Sequence, residues 1–251
     1  MISFVGAGPG DEDLITVKGR RLISEADIII FAGSLVSNAH LKYKKDGCQT
    51  YDSKSMTLED VLKIMKKAED EGKNTVRLHT GDPSIYGAIR EQMDELEKMG
   101  IDFEVIPGVS SFQAAAAAVK KEFTLPDVSQ TVILTRLEGR TPVPVSESLE
   151  KLASHKASMA IFLSVQMIHD VVEKLKEGYE DENTPVAVVY KASWDDEKVI
   201  YGSLKDIEQK VKSQKIDKMS QILVGNFLGD RYEKSKLYDK TFSHKFRKAE
   251  K

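Results

Sequence analysis

The chain of 251 residues is 41% apolar and 31% charged, with a formal net charge of −3 and one cysteine, Cys48. This length suits one large domain or two smaller ones, and a lone cysteine forms no intramolecular disulfide, which fits a reducing compartment such as the cytoplasm. No apolar run approaches the ~18–20 residues of a membrane span, and a near-neutral charge does not favour nucleic acid, so we expect neither partner.

The first half of the chain alternates between strand and helix patterns, and its opening residues have the apolar pattern of a strand rather than of a secretory signal. Strands are predicted at Ile2–Val5, Asp27–Ala32, Thr75–His79 and Phe103–Ile106. Helices are predicted at Val17–Ser24, between a Thr57 cap and Gly72, from Ile85 to Gly100, and at Ser110–Val119. This alternation predicts a mostly parallel sheet with helices on its faces.

A change of pattern near residues 120–130 separates a second domain, so we predict domains at 1–119 and 120–251. Strands are predicted there at Thr131–Thr135, Met159–Leu163, Val186–Tyr190, Lys198–Tyr201 and Gln221–Val224, and helices at Val145–Ser154, Gln166–Gly178 and Leu204–Ser213. The third and fourth of these strands are joined by a short polar loop without a helix. They should therefore pair antiparallel, which predicts a mixed second sheet.

Three glycine-rich loops follow strands of the first domain: Gly6–Asp11, Thr80–Pro83 and Pro107–Ser111. In open α/β sheets, ligands bind where loops leave the carboxyl ends of parallel strands. Within these loops, Asp82 and Ser110 are suited to cap helices, with Pro83 at a first helical position. Each loop has a purely structural interpretation, as a tight turn or a helix start, but their joint occurrence on one edge predicts a ligand site.

The first loop does not fit a dinucleotide-binding fingerprint. The position of the third fingerprint glycine is Asp11, and Pro9 has no N–H to donate to a pyrophosphate. The second predicted strand also ends without the acidic residue that would hold a ribose hydroxyl. The same missing carboxylate argues against the common Rossmann-like methyltransferase fold.

The three loops together resemble the signature loops of a known family, the tetrapyrrole (corrin/porphyrin) methylases. The residues that carry the resemblance are Val5–Asp11, Arg77-Leu78 leading into Gly81–Pro83, and Pro107–Ser111, and it extends over essentially the whole chain. Two further segments resemble the branch that methylates ring carbon 11 of precorrin-4 in cobalamin (vitamin B12) biosynthesis: Ala32–Val36, and the ending Ser235–Asp239, Phe242–His244 and Phe246–Arg247. The resemblance favours the cobalt-dependent, anaerobic form of that reaction.

The resemblance implies a two-domain α/β homodimer that binds S-adenosyl-L-methionine in a cleft between its domains and releases S-adenosyl-L-homocysteine. Carried over position by position, it implies that the cofactor contacts Pro9, Gly81, Asp82, Ile85, Ser110, Ser111, Leu163 and Ala192. The implied substrate is a tetrapyrrole with several carboxylates, and any cobalt would belong to that substrate. The scattered histidines and Cys48 lack metal-ligand spacing, so no protein-bound metal is expected.

Several alternatives remain open from the sequence. Uroporphyrinogen III methyltransferases of the family carry an aspartate at the position of Gly33, which disfavours that activity; a diphthine synthase, a ribosomal-RNA methyltransferase or a non-enzymatic nucleotide-binding module are further possibilities. No catalytic base is identified, since Asp11 and Tyr86 are candidates only through their positions in the loops. Trp194 fits surface packing or a dimer contact equally well.

The C-terminal tail has a charge that the total conceals. From Arg231 to Lys251 there are eight basic and three acidic residues, a net of +5, against −8 for the rest of the chain. Such a tail could be a solvated terminus, attract an acidic tetrapyrrole or brace a dimer.

Overall fold

The structure is a computed structural model that describes residues 1–33 and 35–249. The chain separates into two compact units, one of residues Met1–Ala114 with Lys191–Glu197, the other of Ala115–Tyr190 with the chain from Lys198 onwards. None of the helices described has both the length and the apolar character needed to span a bilayer.

The sheet of the first unit has five strands in the described residues, in the order β3-β2-β4-β1-β5, and all of its pairings are parallel. The strands are β1 (Ile2–Gly6), β2 (Ile28–Phe31), β3 (Gln49–Asp52), β4 (Thr75–His79) and β5 (Phe103–Ile106). The helices are α1 (Val17–Glu25), α2 (Leu58–Asp70), α3 (Arg90–Lys98) and α4 (Ser111–Val119), with short 3-10 turns at Glu12–Leu14, Asn38–Tyr43 and Ser53–Ser55. The predicted parallel α/β sheet is confirmed.

The central strands are buried on both faces, which explains why their sequences are apolar without alternation. Along β1, Val5 packs into one core with Ile29 and Leu78, whereas Phe4 packs into the opposite core with residues of α2 and α3 such as Met65. At the start of α2, Thr57 and Asp60 form a reciprocal capping box, as the predicted Thr57 cap required.

Two details of the first unit differ from the prediction. β3 was not predicted because it is a polar, half-exposed edge strand, Gln-Thr-Tyr-Asp, without an apolar run. The third helix begins at Arg90 rather than at Ile85, because Tyr86 and Ala88 have φ values of 55° and 49°, which a right-handed helix excludes. Ile85 and Ile89 both point toward the interior, so their spacing imitates a helix across an irregular turn.

The second unit contains a mixed sheet in the order β6-β7-β10-β8-β9. Its strands are β6 (Val132–Arg136), β7 (Ser158–Phe162), β8 (Pro185–Tyr190), β9 (Lys198–Ser203) and β10 (Ser220–Val224). β6 pairs parallel with β7, and the remaining neighbours pair antiparallel, including β8 with β9 as predicted. Its helices are α5 (Leu149–Ala153), α6 (Ile168–Tyr179) and α7 (Ile207–Ser213), with 3-10 turns at Val145–Glu147, Val165–Met167, Asn226–Leu228 and Lys236–Tyr238.

The core of the second unit lies between its sheet and the helices α5, α6 and α7, with residues such as Met159, Leu175 and Ile222 fully buried. One polar group is fixed within it. The buried Tyr179 hydroxyl donates to the carbonyl of Ala157 at 2.6 Å, and burial raises the pKa of this phenol. The end of α6 is thereby joined to the residue that precedes β7.

Candidate functional site

Three loops of the first unit leave the same edge of its sheet. β4, β1 and β5 are parallel neighbours, so their carboxyl ends, at His79, Gly6 and Ile106, lie side by side. Backbone bonds continue past the strand ends: the Ala7 N–H donates to the His79 carbonyl at 2.7 Å, and Gly8 and Gly81 exchange bonds of 3.2 and 2.8 Å. The predicted grouping of the loops on one edge is confirmed.

Three glycines allow the loops to approach closely. A Cβ on Gly108 would lie 2.1 Å from the carbonyl oxygen of Gly81, and a Cβ on Gly6 would lie 2.7 Å from that oxygen and from the Gly108 Cα. Gly81 itself has a φ of +61°, in the left-handed region. The glycines are thus explained by backbone packing, which accounts for a glycine-rich loop that lacks the dinucleotide fingerprint.

Asp82 joins the second loop to the third. Its carboxylate accepts the Gly108 N–H at 2.9 Å and the Ser84 N–H at 2.8 Å, and it also accepts the Ser84 hydroxyl. Burial alone would raise the pKa of Asp82, but these bonds from Ser84 and Gly108 outweigh it and lower the pKa, so the group is an anion at neutral pH. The predicted helix cap is wrong, because the residues after Asp82 form a turn rather than a helix.

The serines of the third loop stand at the start of α4. Ser110 is buried, its N–H donates to the Gln113 side-chain oxygen at 2.9 Å, and its carbonyl accepts the Gln113 N–H at 3.1 Å. This is the helix start predicted at Ser110, with Ser111 as the first helical residue. In the second loop, the half-buried Ile85 lies in the turn after Asp82, and its N–H donates to the Asp82 carbonyl at 3.2 Å.

The segment Lys191–Glu197, which connects β8 to β9 along the chain, belongs to the first unit and contacts its first loop. The Trp194 indole N–H donates to the Pro9 carbonyl at 2.9 Å, and the Asp11 N–H donates to the Ser193 hydroxyl at 3.0 Å. Ala192, predicted to contact the cofactor, is buried in the same segment. Sequence reasoning missed these contacts of Ser193 and Trp194, and the available signal was a single tryptophan in an otherwise polar segment.

A buried basic pair lies on β4. Burial and the neighbouring Arg77 lower the pKa of His79 to about 3, and burial lowers the pKa of Arg77 to about 10. The arginine is held by Gln92, Ser53 and the Ile30 carbonyl, whereas Nε2 of His79 has no hydrogen-bond partner in the described residues. His79 is therefore neutral at physiological pH and holds no proton to donate as an imidazolium.

Leu163, the one predicted cofactor residue in the second unit, immediately follows β7. It has a φ of 54° and leaves 67% of its surface exposed, which is unusual for a leucine in both respects. The next residue, Ser164, explains how the turn is held: its hydroxyl donates to the Phe162 carbonyl at 2.6 Å and accepts the Leu137 N–H at 2.9 Å.

Gly33 is packed against a carboxylate from the neighbouring strand. Its N–H donates to Asp52 at 3.0 Å, and a Cβ at this position would lie 2.6 Å from the other carboxylate oxygen. An aspartate at position 33 would require Asp52 to move, which argues further against the uroporphyrinogen interpretation. Ser34, part of the branch-like Ala32–Val36 segment, and Glu250 and Lys251 of the tail lie outside the described residues. Within those residues there is no group of His, Cys, Asp or Glu side chains that could hold a metal ion.

Comparison with known proteins decides the family. The model of the Tetrapyrrole (Corrin/Porphyrin) Methylases matches residues 1–208. The chain belongs to this family. It is 59% identical to the cobalt-precorrin-4 C(11)-methyltransferase of Methanocaldococcus jannaschii over 251 residues, covering all of this chain and 97% of that protein. It is 43% identical to the precorrin-4 C(11)-methyltransferase of Pseudomonas aeruginosa, covering 99% of each.

A solved structure agrees with this placement in the tetrapyrrole methylases. The structure of the cobalamin biosynthetic enzyme cobalt precorrin-4 methyltransferase superposes with a TM-score of 0.89 at 47% identity, covering 91% of this chain and 96% of that one. The predicted family and its two α/β sheets are therefore confirmed.

Proposed function

We propose that the protein transfers a methyl group from S-adenosyl-L-methionine to ring carbon 11 of precorrin-4, in its cobalt complex, in cobalamin biosynthesis. The observation that carries the proposal is the 59% identity over the full chain to a relative named for that cobalt-dependent reaction. The relative named for the cobalt-free substrate is less similar, at 43% identity, which favours the cobalt complex as substrate.

The first unit offers groups suited to the methyl donor. We propose that Pro9, Gly81, Asp82, Ile85, Ser110, Ser111 and Ala192 line its binding site; Leu163 stays a prediction from the resemblance. The ionised Asp82 is half-buried and has two carboxylate oxygens, so it can accept from an amino or hydroxyl group of the donor. The close backbone junction at Gly6, Gly81 and Gly108 fixes the position of that carboxylate.

The chemistry asks mainly for alignment. A sulfonium-bound methyl group is already activated toward an electron-rich ring carbon, so no covalent enzyme intermediate is required. The loops of the first unit hold the donor in one geometry and exclude water around it, which is how positioning accelerates a bimolecular transfer. His79 is neutral and buried, so it takes no part as an acid at neutral pH. No side chain is assigned as a base.

The donor assignment is tested by calorimetric titration of the full chain with S-adenosyl-L-homocysteine. We expect Asp82→Asn to raise the dissociation constant by about tenfold or more, since it removes the charge that a donor cation or amino group would contact. Asp102→Asn, a change at an exposed aspartate that precedes β5, is the matched control and should leave the constant unchanged. Equal affinity of Asp82→Asn and the wild type would overturn the assignment of Asp82.

We further propose that the protein is a cytoplasmic homodimer and that its C-terminal tail contributes to the interface between two copies. The tail supports this because it exposes large apolar side chains, which are costly to leave in water: Tyr232, Leu237, Tyr238, Phe242 and Phe246. Truncation after Asp230 preserves the ion pair of Lys121 with Asp230 at 2.9 Å. Sedimentation should give a dimer for the full chain and a monomer for the truncated one, and a truncated dimer would contradict the role of the tail.

A further inference from the structure

The segment Lys191–Glu197 contacts the first glycine-rich loop through two consecutive side chains, Ser193 and Trp194. We infer that these two are positioning residues, which hold the loop Gly8–Asp11 in the conformation that binds the methyl donor. The inference rests on the proposed function, because Pro9 in that loop is among the proposed donor contacts. It assigns Trp194 a role that reaches the donor through Pro9 rather than by direct contact.

The contact of Trp194 with the loop combines a hydrogen bond with a tight steric fit. Its indole N–H donates to the Pro9 carbonyl at 2.9 Å, the one backbone polar group that a proline retains. A Cβ on Gly10 would lie 2.1 Å from Cδ1 and 2.2 Å from Nε1 of the indole. Gly10 does not have a positive φ, so the presence of glycine there is explained by the room that the indole occupies.

Ser193 provides a second bond to the same loop. Its hydroxyl accepts the Asp11 N–H at 3.0 Å, two residues beyond the carbonyl that Trp194 binds. On its other side the loop is bonded to Gly81, through the pair of backbone bonds that Gly8 makes. The loop is therefore held from two directions, and one of them comes from residues 185 positions away in the sequence.

The segment is braced in an unusual backbone conformation. Lys191 and Ser193 have φ values of 48° and 70°, which non-glycine residues adopt only when surrounding contacts enforce them. Those contacts include an ion pair of Lys191 with Asp196 at 2.6 Å and a bond from the Ser193 N–H to the Glu197 carboxylate at 2.7 Å. The Lys191 ammonium also lies 5.4 Å from the centre of the Trp194 ring. Several independent contacts thus fix the direction in which Ser193 and Trp194 point.

A loop with two glycines and a proline orders at an entropic cost, which Trp194 and Ser193 cover before the donor arrives. Trp194→Phe keeps an aromatic ring and removes only the N–H donor. We expect it to raise the dissociation constant for S-adenosyl-L-homocysteine about 5- to 20-fold, the effect of one lost hydrogen bond to a positioned loop. In turnover, KM for the donor should rise while kcat stays within about twofold, which a general loss of folded protein would not produce.

The matched control is Tyr201→Phe, which removes one polar group from an exposed aromatic side chain of the second unit and should leave both constants unchanged. A double-mutant cycle then tests the steric fit. Gly10→Ala should weaken binding strongly in the wild-type background, because its methyl group collides with the indole. In a Trp194→Ala background that penalty should disappear. An equal penalty for Gly10→Ala in both backgrounds would overturn the inference.

The experiment separates the two levels of the argument. If the wild type does not bind S-adenosyl-L-homocysteine, the proposed function fails, and the inference fails with it. If the wild type binds and Trp194→Phe binds equally well, with an unchanged KM, the positioning role alone is refuted and the donor assignment stands.

Discussion

The buried imidazole of His79 makes a prediction about stability against pH. This side chain is only 8% exposed, and burial together with Arg77 lowers its pKa from 6.5 to about 3. In the unfolded chain the imidazole takes up a proton as the pH falls below 6.5, while in the folded protein it stays neutral. The unfolded state therefore binds more protons throughout this window, and folding stability is lost as the pH falls from 6.5 toward 3.

The size of this effect follows from the separation of the two pKa values. Each pH unit between them is worth ~1.4 kcal/mol, so at about pH 4.5 the penalty from His79 reaches ~3 kcal/mol, and above about pH 7.5 it vanishes. His79→Gln removes the titrating group. The difference in free energy of unfolding between wild type and variant should therefore shift by ~3 kcal/mol in favour of the variant between about pH 7.5 and 4.5.

Urea unfolding, followed by circular dichroism at several pH values, measures this difference. His40, whose pKa is also lowered by burial, titrates in both proteins, so its contribution cancels in the comparison. His155→Gln, at an exposed position, is the matched control. If the stability difference between wild type and His79→Gln were independent of pH, the assignment of His79 as a buried neutral imidazole would be refuted.

Three further variants test packing and hydrogen bonding elsewhere. Gly108→Ala places a Cβ 2.1 Å from the Gly81 carbonyl, so we expect a loss of ~1–3 kcal/mol in urea unfolding and weaker donor binding; an unchanged midpoint would disprove the close junction. Tyr179→Phe leaves the Ala157 carbonyl without its 2.6 Å donor and should cost ~1–3 kcal/mol in the same assay, whereas a neutral result would contradict a buried bond. Thr57→Ala removes the capping box of α2 and should cost ~1 kcal/mol, with Thr57→Ser retaining most of it; equal losses for both would exclude the hydroxyl as the cause.

The elements that the sequence predicted well are those whose pattern comes from burial. Ile28–Phe31 is apolar throughout because both faces of that strand are covered, and such a run indicates a central parallel strand. The edge strand Gln49–Asp52 has no such pattern, since half of its surface remains in water. Periodicity also misled at Ile85 and Ile89, because inward spacing reports burial and not backbone handedness. Gly87, whose Cβ would lie 2.1 Å from the Pro83 carbonyl, was the local signal of an irregular turn.

The candidate site divides in the same way. The three glycine-rich loops could be predicted from their positions after parallel strands, because the geometry of such sheets brings those ends together. The approach of Trp194 to Pro9 and Gly10 could not, since it depends on the path of the chain between residues far apart in sequence. The carboxylate of Asp52 beside Gly33 was hidden for a related reason, because its strand was not predicted.

Methyl transfer to carbon 11 is the central claim, and it is tested most directly by turnover of the full chain with isotope-labelled S-adenosyl-L-methionine. The protein is incubated with precorrin-4 and, separately, with its cobalt complex, and the product is examined by mass spectrometry and by nuclear magnetic resonance of the labelled carbon. We predict one methyl group transferred to ring carbon 11, faster for the cobalt complex. Absence of label transfer to either tetrapyrrole, or label at a different ring carbon, would contradict the proposed function.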